Sequence, residues 1–247
     1  MITDVLANLQ SHLECSEAHI KDIRFDKRHA DSLYGVALYL SILELSTSAH
    51  VLCAADRISG IEILLRTLLE AFVDLTNLRN DPRYSWNIEA ADIEQWLIVM
   101  RKARAGGNPH LAGLASQPGF DANLKAKSER LAELKRNGYP PLKVNKRFAT
   151  AGLKDQYDSL YNQLCTEGHN NIRAMTSRHF QVDKEGGEVR VVYNKNAHDG
   201  SHDHLITTVS GVVLRAGVLV HSPPTKNVFV DRLERFDREE REYFGLS

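Results

Sequence analysis

The stretch Ile61–Leu78, IEILLRTLLEAFVDLTNL, is apolar on nearly every side, yet Glu62, Arg66, Glu70 and Asp74 recur in it at every fourth residue. A helix that is apolar all round packs inside a bundle rather than on its surface. Charges spaced four apart share one slowly drifting stripe and lie close enough to pair. Burying a charge is costly unless it is paired, so this stripe either faces polar groups of another helix or lines a cavity. The chain is thereby committed to a helical core with a polar line running through it.

The remaining segments extend that reading. Apolar residues at helical spacing mark helices over residues 2–20, Asp31–Ala55, Trp86–Ala103, Lys154–His169 and Leu205–Val220. Asn123–Arg136 is polar with thin apolar contacts at Leu124, Leu131 and Leu134, which predicts a solvent-facing helix. Phe229–Phe244 is a charged amphipathic tail. Arg57, Ile58 and Ser59 break the chain before the charged helix, with Ser59 its expected N-cap. Arg178–Val182 and Glu188–Tyr193 flank Lys184-Glu185-Gly186-Gly187, a hairpin pattern. With no internal repeat and no low-complexity linker, the expectation is a mostly α chain. It forms one helical bundle over residues 1–247, with a small β-hairpin insert at about 178–194 and a charged C-terminal helix at about 228–244.

Composition narrows the class of function. Of the 247 residues, 43% are hydrophobic and 26% charged, the balance of an ordinary globular chain. A formal net charge of −1 gives no whole-molecule attraction to nucleic acid or membrane. Cys15, Cys53 and Cys165 are too far apart for a zinc knuckle or a disulfide framework, and free thiols suit a reducing compartment. The N-terminus lacks the basic and apolar regions of a signal peptide, and no run of about 18 apolar residues appears. These features predict a cytoplasmic protein with no membrane partner and no cofactor.

Several constellations bear on chemistry. In the stripe, Arg66 can hold a carboxylate or phosphate through its planar fork, and Glu70 one turn on can orient it; the alternative is a salt bridge that fixes packing. In Thr166–Ile172, TEGHNNI, His169 offers an acid or base near neutrality, and Asn170 and Asn171 offer amides for a ligand. Tyr157 and Tyr161 precede them on the inner face of the same helix. The same segment also reads as a helix end at Gly168. Asn196–His204, NAHDGSHDH, carries ligand-type side chains, but a His-Asp run with no partner motif does not define a metal site. Asp203 or Ser201 there suits an N-cap. Residues 123–154 hold Lys125, Lys127, Arg130, Lys135, Arg136, Lys143, Lys146, Arg147 and Lys154, either a solvated face or a patch for RNA.

An Arg-x(4–6)-His spacing occurs at Arg173–His179 and at Arg24–His29. It resembles the active-site motif of helical ribonucleases of the HEPN class (higher eukaryotes and prokaryotes nucleotide-binding). Both matches depart from that pattern, since Ala174 and Phe25 stand where a polar residue is usual, and Arg173–His179 runs into the predicted hairpin. RTLLEAFVDLTNL and YDSLYNQLCTEGHNNI together resemble a bacterial helical family known only as a domain of unknown function. The likeness covers roughly residues 30–180. It implies an α-helical fold in which Arg66, Glu70 and His169 meet, and families of this general type include ribonucleases of bacterial defence. Two readings therefore stand. In one, Arg66 stabilises phosphate charge, Glu70 orients it, His169 moves a proton and RNA is cleaved. In the other, the same residues are a structural polar cluster in a non-catalytic interaction, scaffold or small-ligand sensor protein. Helical faces or the charged tail would then support a homodimer.

Overall fold

A computed structural model describes residues 4–57, 60–168, 171–182, 187–193 and 202–245. Among the described residues the regular structure is helical except for one two-stranded antiparallel sheet. Helices α1 (Val5–Ala18), α2 (Ala30–Ala54), α3 (Ile61–Asn80) and α11 (Asp203–Val220) form the central bundle. Short helices α7 (Val144–Thr150) and α9 (Asn162–Gly168) pack on α3. The main core joins Leu9 and Leu13 of α1, Tyr39 and Ile42 of α2, Leu65, Leu68 and Leu75 of α3, and Val209 and Val213 of α11. The spacing of these residues is the helical period expected of buried faces. By length and hydropathy alone α2 and α11 are apolar enough to cross a membrane. More than half of α11's apolar window is instead buried within the bundle.

Helix α4 (Tyr84–Ala105) leads through a tight turn, Pro109–Leu111, and the short helix α5 (Ala112–Ala115) to α6 (Phe120–Arg136). α4 and α6 form an antiparallel arm with a core of its own, Ile93, Leu97 and Met100 against Leu124, Leu131 and Leu134. Arg130 grips Glu89 through two hydrogen bonds of 2.8 Å, and Lys135 reaches Glu94 at 2.8 Å. The α6 segment is thus half-buried through its three leucines rather than wholly solvent-facing.

Helix α12 (Thr225–Phe244) lies along α11. Its apolar stripe is used within the chain, since Phe229 and Phe236 are buried and Asp237 accepts from Arg215 of α11 at 2.7 Å. Phe229 sits against Gly217, where a Cβ would fall 2.3 Å from the ring. Only a glycine admits so close an approach here. Asp203 is the first residue of α11 rather than its cap, and its carboxylate accepts from the Tyr243 hydroxyl at 2.6 Å. Ser59 and Ser201 lie outside the described residues.

Two boundaries differ from the sequence reading. The predicted Lys154–His169 helix is unbroken over its described residues, 154–168, but it changes pitch: α8 (Lys154–Gln156) passes into a π-helical turn, Tyr157–Tyr161, and then into α9. The hairpin is shorter, with strands β1 (Phe180–Val182) and β2 (Val189–Val191), Phe180 facing Val191 and Val182 facing Val189. Arg178 and His179 instead end helix α10 (Ile172–His179), whose Arg, Ala and Met residues are good helix formers. Arg173 and His179 therefore share one helix instead of running into a strand.

His12 of α1 is buried edge-on against Phe236, and its Nδ1 has no hydrogen-bond partner among the described residues. Burial, aided by Arg232, pulls its pKa down from 6.5 to about 4. The folded protein thus refuses a proton that the unfolded chain accepts between those values. Stability is complete above pH 6.5 and falls as pH drops toward 4, by up to about 3 kcal/mol from this group at 1.36 kcal/mol per pH unit. His221, lowered by burial and His19, adds to the same slope. Urea unfolding measured from pH 7.5 to 4.5 is expected to show this fall and a flatter profile in His12→Phe.

Candidate functional site: an ionic network on the central helix

The charged stripe of α3 faces α7 and the π-helical turn. Arg66 and Glu70 are one turn apart, with Arg66 Nε 3.5 Å from Glu70 Oε1. The buried Tyr161 sits between them. Its hydroxyl accepts from Arg66 Nε at 3.3 Å and donates to Glu70 Oε1 at 2.7 Å. The Arg66 guanidinium also lies 5.7 Å from the Tyr161 ring centre, within cation–π range. The π turn ends at Tyr161. Single π turns inside helices recur at functional sites.

A second arginine completes the network. Arg147 Nε and Nη2 meet the two Asp74 oxygens at 2.8 and 2.5 Å, a bidentate fork. Its Nη1 reaches Glu70 Oε2 at 3.3 Å, and Nη2 also donates to the Glu70 carbonyl at 3.2 Å. Tyr84 of α4 donates to Asp74 Oδ1 at 2.6 Å, and Asn77 Nδ2 donates to the Arg147 carbonyl at 2.9 Å. The network thus runs Arg66, Tyr161, Glu70, Arg147, Asp74, Tyr84, and ties α3 to α4, α7 and the π turn.

Electrostatics grade along this line. The inner side chains Asp74 and Arg147 are only 17% and 18% exposed, whereas Arg66 and Glu70 are 29% and 26% exposed. Burial pushes the Asp74 carboxyl up from its ordinary range, and Arg147 and Tyr84 pull against that shift. Burial opposes the Arg147 charge most strongly, but Asp74, Tyr84 and Glu70 together outweigh it and the guanidinium is held more firmly protonated than usual. Burial first, and then the bond to Glu70, push the Tyr161 phenol far above its usual value, so it acts as a neutral donor rather than a base.

Of the residues singled out from sequence, Arg66, Glu70 and Tyr161 meet. Tyr157 takes a packing role: its ring stacks on Tyr161 at 5.4 Å and tilts against Phe148 at 5.4 Å. Asn171 is exposed just before α10, where its carbonyl accepts from Met175. His169 and Asn170 lie outside the described residues, as do residues 194–201 of the His-Asp loop. Among the described residues no group of three His, Cys, Asp or Glu side chains is placed to hold a metal ion.

Arg147 and Asp74 carry the tightest contact of the network, and sequence reasoning placed Arg147 in the basic run instead. A usable signal existed. Val144, Arg147, Phe148 and Ala151 recur at i, i+3, i+4 and i+7, which puts Arg147 on the apolar face of its short helix. Arg130, Lys135 and Lys154 of the same run are likewise ion-paired, with Glu89 and Glu133, Glu94 and Asp158.

These features define a helical bundle organised around an internal ionic network. The chain belongs to a family of unknown function (DUF5677), whose model matches residues 33–188 and so spans every member of the network. No curated protein and no solved structure matches the chain.

Proposed function

We propose that this chain is a non-catalytic interaction or sensor protein in which the α3 network is a packing clamp. The observation that carries this reading is the saturation of the inner network. Both Asp74 oxygens and both Glu70 oxygens already accept hydrogen bonds from Arg147, Tyr84 or Tyr161. Carboxylates so engaged hold α7 and the π turn against α3. Removing either partner of such a pair leaves a stranded charge, which is what a clamp requires.

A second reading, cleavage of RNA, has one observation in its favour: Arg173 and His179 lie on the same helix, α10. In that reading the network supports the helix that precedes α10, and an arginine stabilises phosphate charge while a histidine moves the proton.

One assay separates the two. Total RNA is examined after induction of the wild type and of Arg66→Ala, Arg173→Ala and His179→Ala, each checked for folding by circular dichroism. Intact RNA with the folded wild type is the expected result. Cleavage that disappears in the folded Arg173→Ala and His179→Ala proteins would establish the nuclease and displace the clamp reading.

A further inference from the structure

Away from the network, two adjoining hollows open where the α1–α2 loop meets the C-terminal end of α3. The smaller, about 90 Å³, is bordered by Arg24, Asp31, Ser32 and Arg79. It has room for about three waters at about 30 Å³ each, or for one phosphate group. The larger is a broad open groove of about 670 Å³. It shares Arg24, Phe25 and Ser32 with the smaller hollow and adds Lys27 and the Asp26–Arg28 ion pair.

The chemistry of the two hollows differs. Arg24 and Arg79 make no ion pair among the described residues, whereas their neighbours Arg28 and Arg83 are held by Asp26 and Asp81. Two guanidinium groups without ion pairs, at the rim of one small hollow walled otherwise by residues such as Val36, Leu78 and Pro82, match a phosphate, which takes bidentate donors well. In the adjoining groove Phe25 is 51% exposed. An aromatic face beside cations is how proteins stack a base while contacting its phosphate. Asp31, the carboxylate at the small hollow, supplies acceptors of the kind that receive ribose hydroxyls.

We propose that this double hollow binds a ligand of the nucleotide class, with its phosphate between Arg24 and Arg79 and its base on Phe25. The site lies just past the C-terminal end of the network on α3, and the proposal holds whichever function that network serves. Sequence reading noted Arg24 only as half of an Arg-His spacing. The partner that matters, Arg79, is 55 positions away and reaches the hollow only because α3 ends there.

The test is calorimetric titration of the full chain with ADP and, separately, with inorganic phosphate. Arg24, Phe25 and Arg79 are all exposed, so their replacement leaves the core intact. Arg24→Ala and Arg79→Ala are each expected to weaken both ligands by about tenfold or more. Phe25→Ala should weaken ADP about tenfold and leave phosphate binding unchanged, since only the base stacks. Arg101→Ala, on the separate cationic cleft at the end of the α4–α6 arm, should change neither. Absence of ADP binding at millimolar concentration, or binding that survives Arg24→Ala/Arg79→Ala, overturns the site. Phosphate binding with no dependence of ADP on Phe25 overturns the nucleotide assignment.

Discussion

Replacing Arg147 with alanine is expected to destabilise the protein by about 3–5 kcal/mol, the range found when one partner of a buried ion pair is removed. The substitution strands Asp74 at 17% side-chain exposure and takes a donor from Glu70. It also frees α7 from α3 at the point where Arg147 forks onto Asp74. Urea unfolding followed by circular dichroism reads the loss. Charge and packing separate in the double variant Asp74→Asn/Arg147→Met, which leaves no stranded carboxylate on Asp74. It should recover more than half of the stability. A double variant as unstable as the single would mean that the contact acts through shape alone.

Phe229→Ala is expected to cost a similar amount, about 3–5 kcal/mol, as for other fully buried aromatic side chains. The ring is fully buried, stacks on His221 at 4.8 Å and fills the notch above Gly217. Its removal undocks the first turns of α12 from α11 and admits water to His221. A second readout follows from that. The His221 pKa, lowered chiefly by burial, should move back up toward its ordinary value in an NMR titration. The reciprocal change, Gly217→Ala, drives a methyl into the ring and should cost about 1–3 kcal/mol by overpacking. If Phe229→Ala leaves stability unchanged, α12 does not depend on this notch.

The bundle was legible because apolar residues at helical spacing survive without any tertiary information. The pairing of Arg66 with Glu70 was legible for the same reason: four residues apart on a helix is a local relation. Tyr161 was singled out for its inner face, but the bond to Glu70 that defines its role spans 91 positions. Arg147 was hidden by composition. It sits among Lys143, Lys146 and Lys154, and its assignment to Asp74 depends on α7 folding back across 73 positions. The π turn left no mark, because Tyr157, Leu160, Tyr161 and Leu164 fit an ordinary helical repeat equally well. The hairpin ran two residues too early for a related reason: Arg178 and His179 satisfy a helix end as readily as a strand start.

The arm formed by α4 and α6 has a further consequence for how this molecule comes apart. Its leucine core is built separately from that of the bundle. Such an arm is expected to open locally at a lower free energy than the bundle, ahead of global unfolding. Arg147 and Phe229 report on the bundle. Leu131 and the Arg130–Glu89 pair report on the arm, which hydrogen exchange would resolve as a distinct unit.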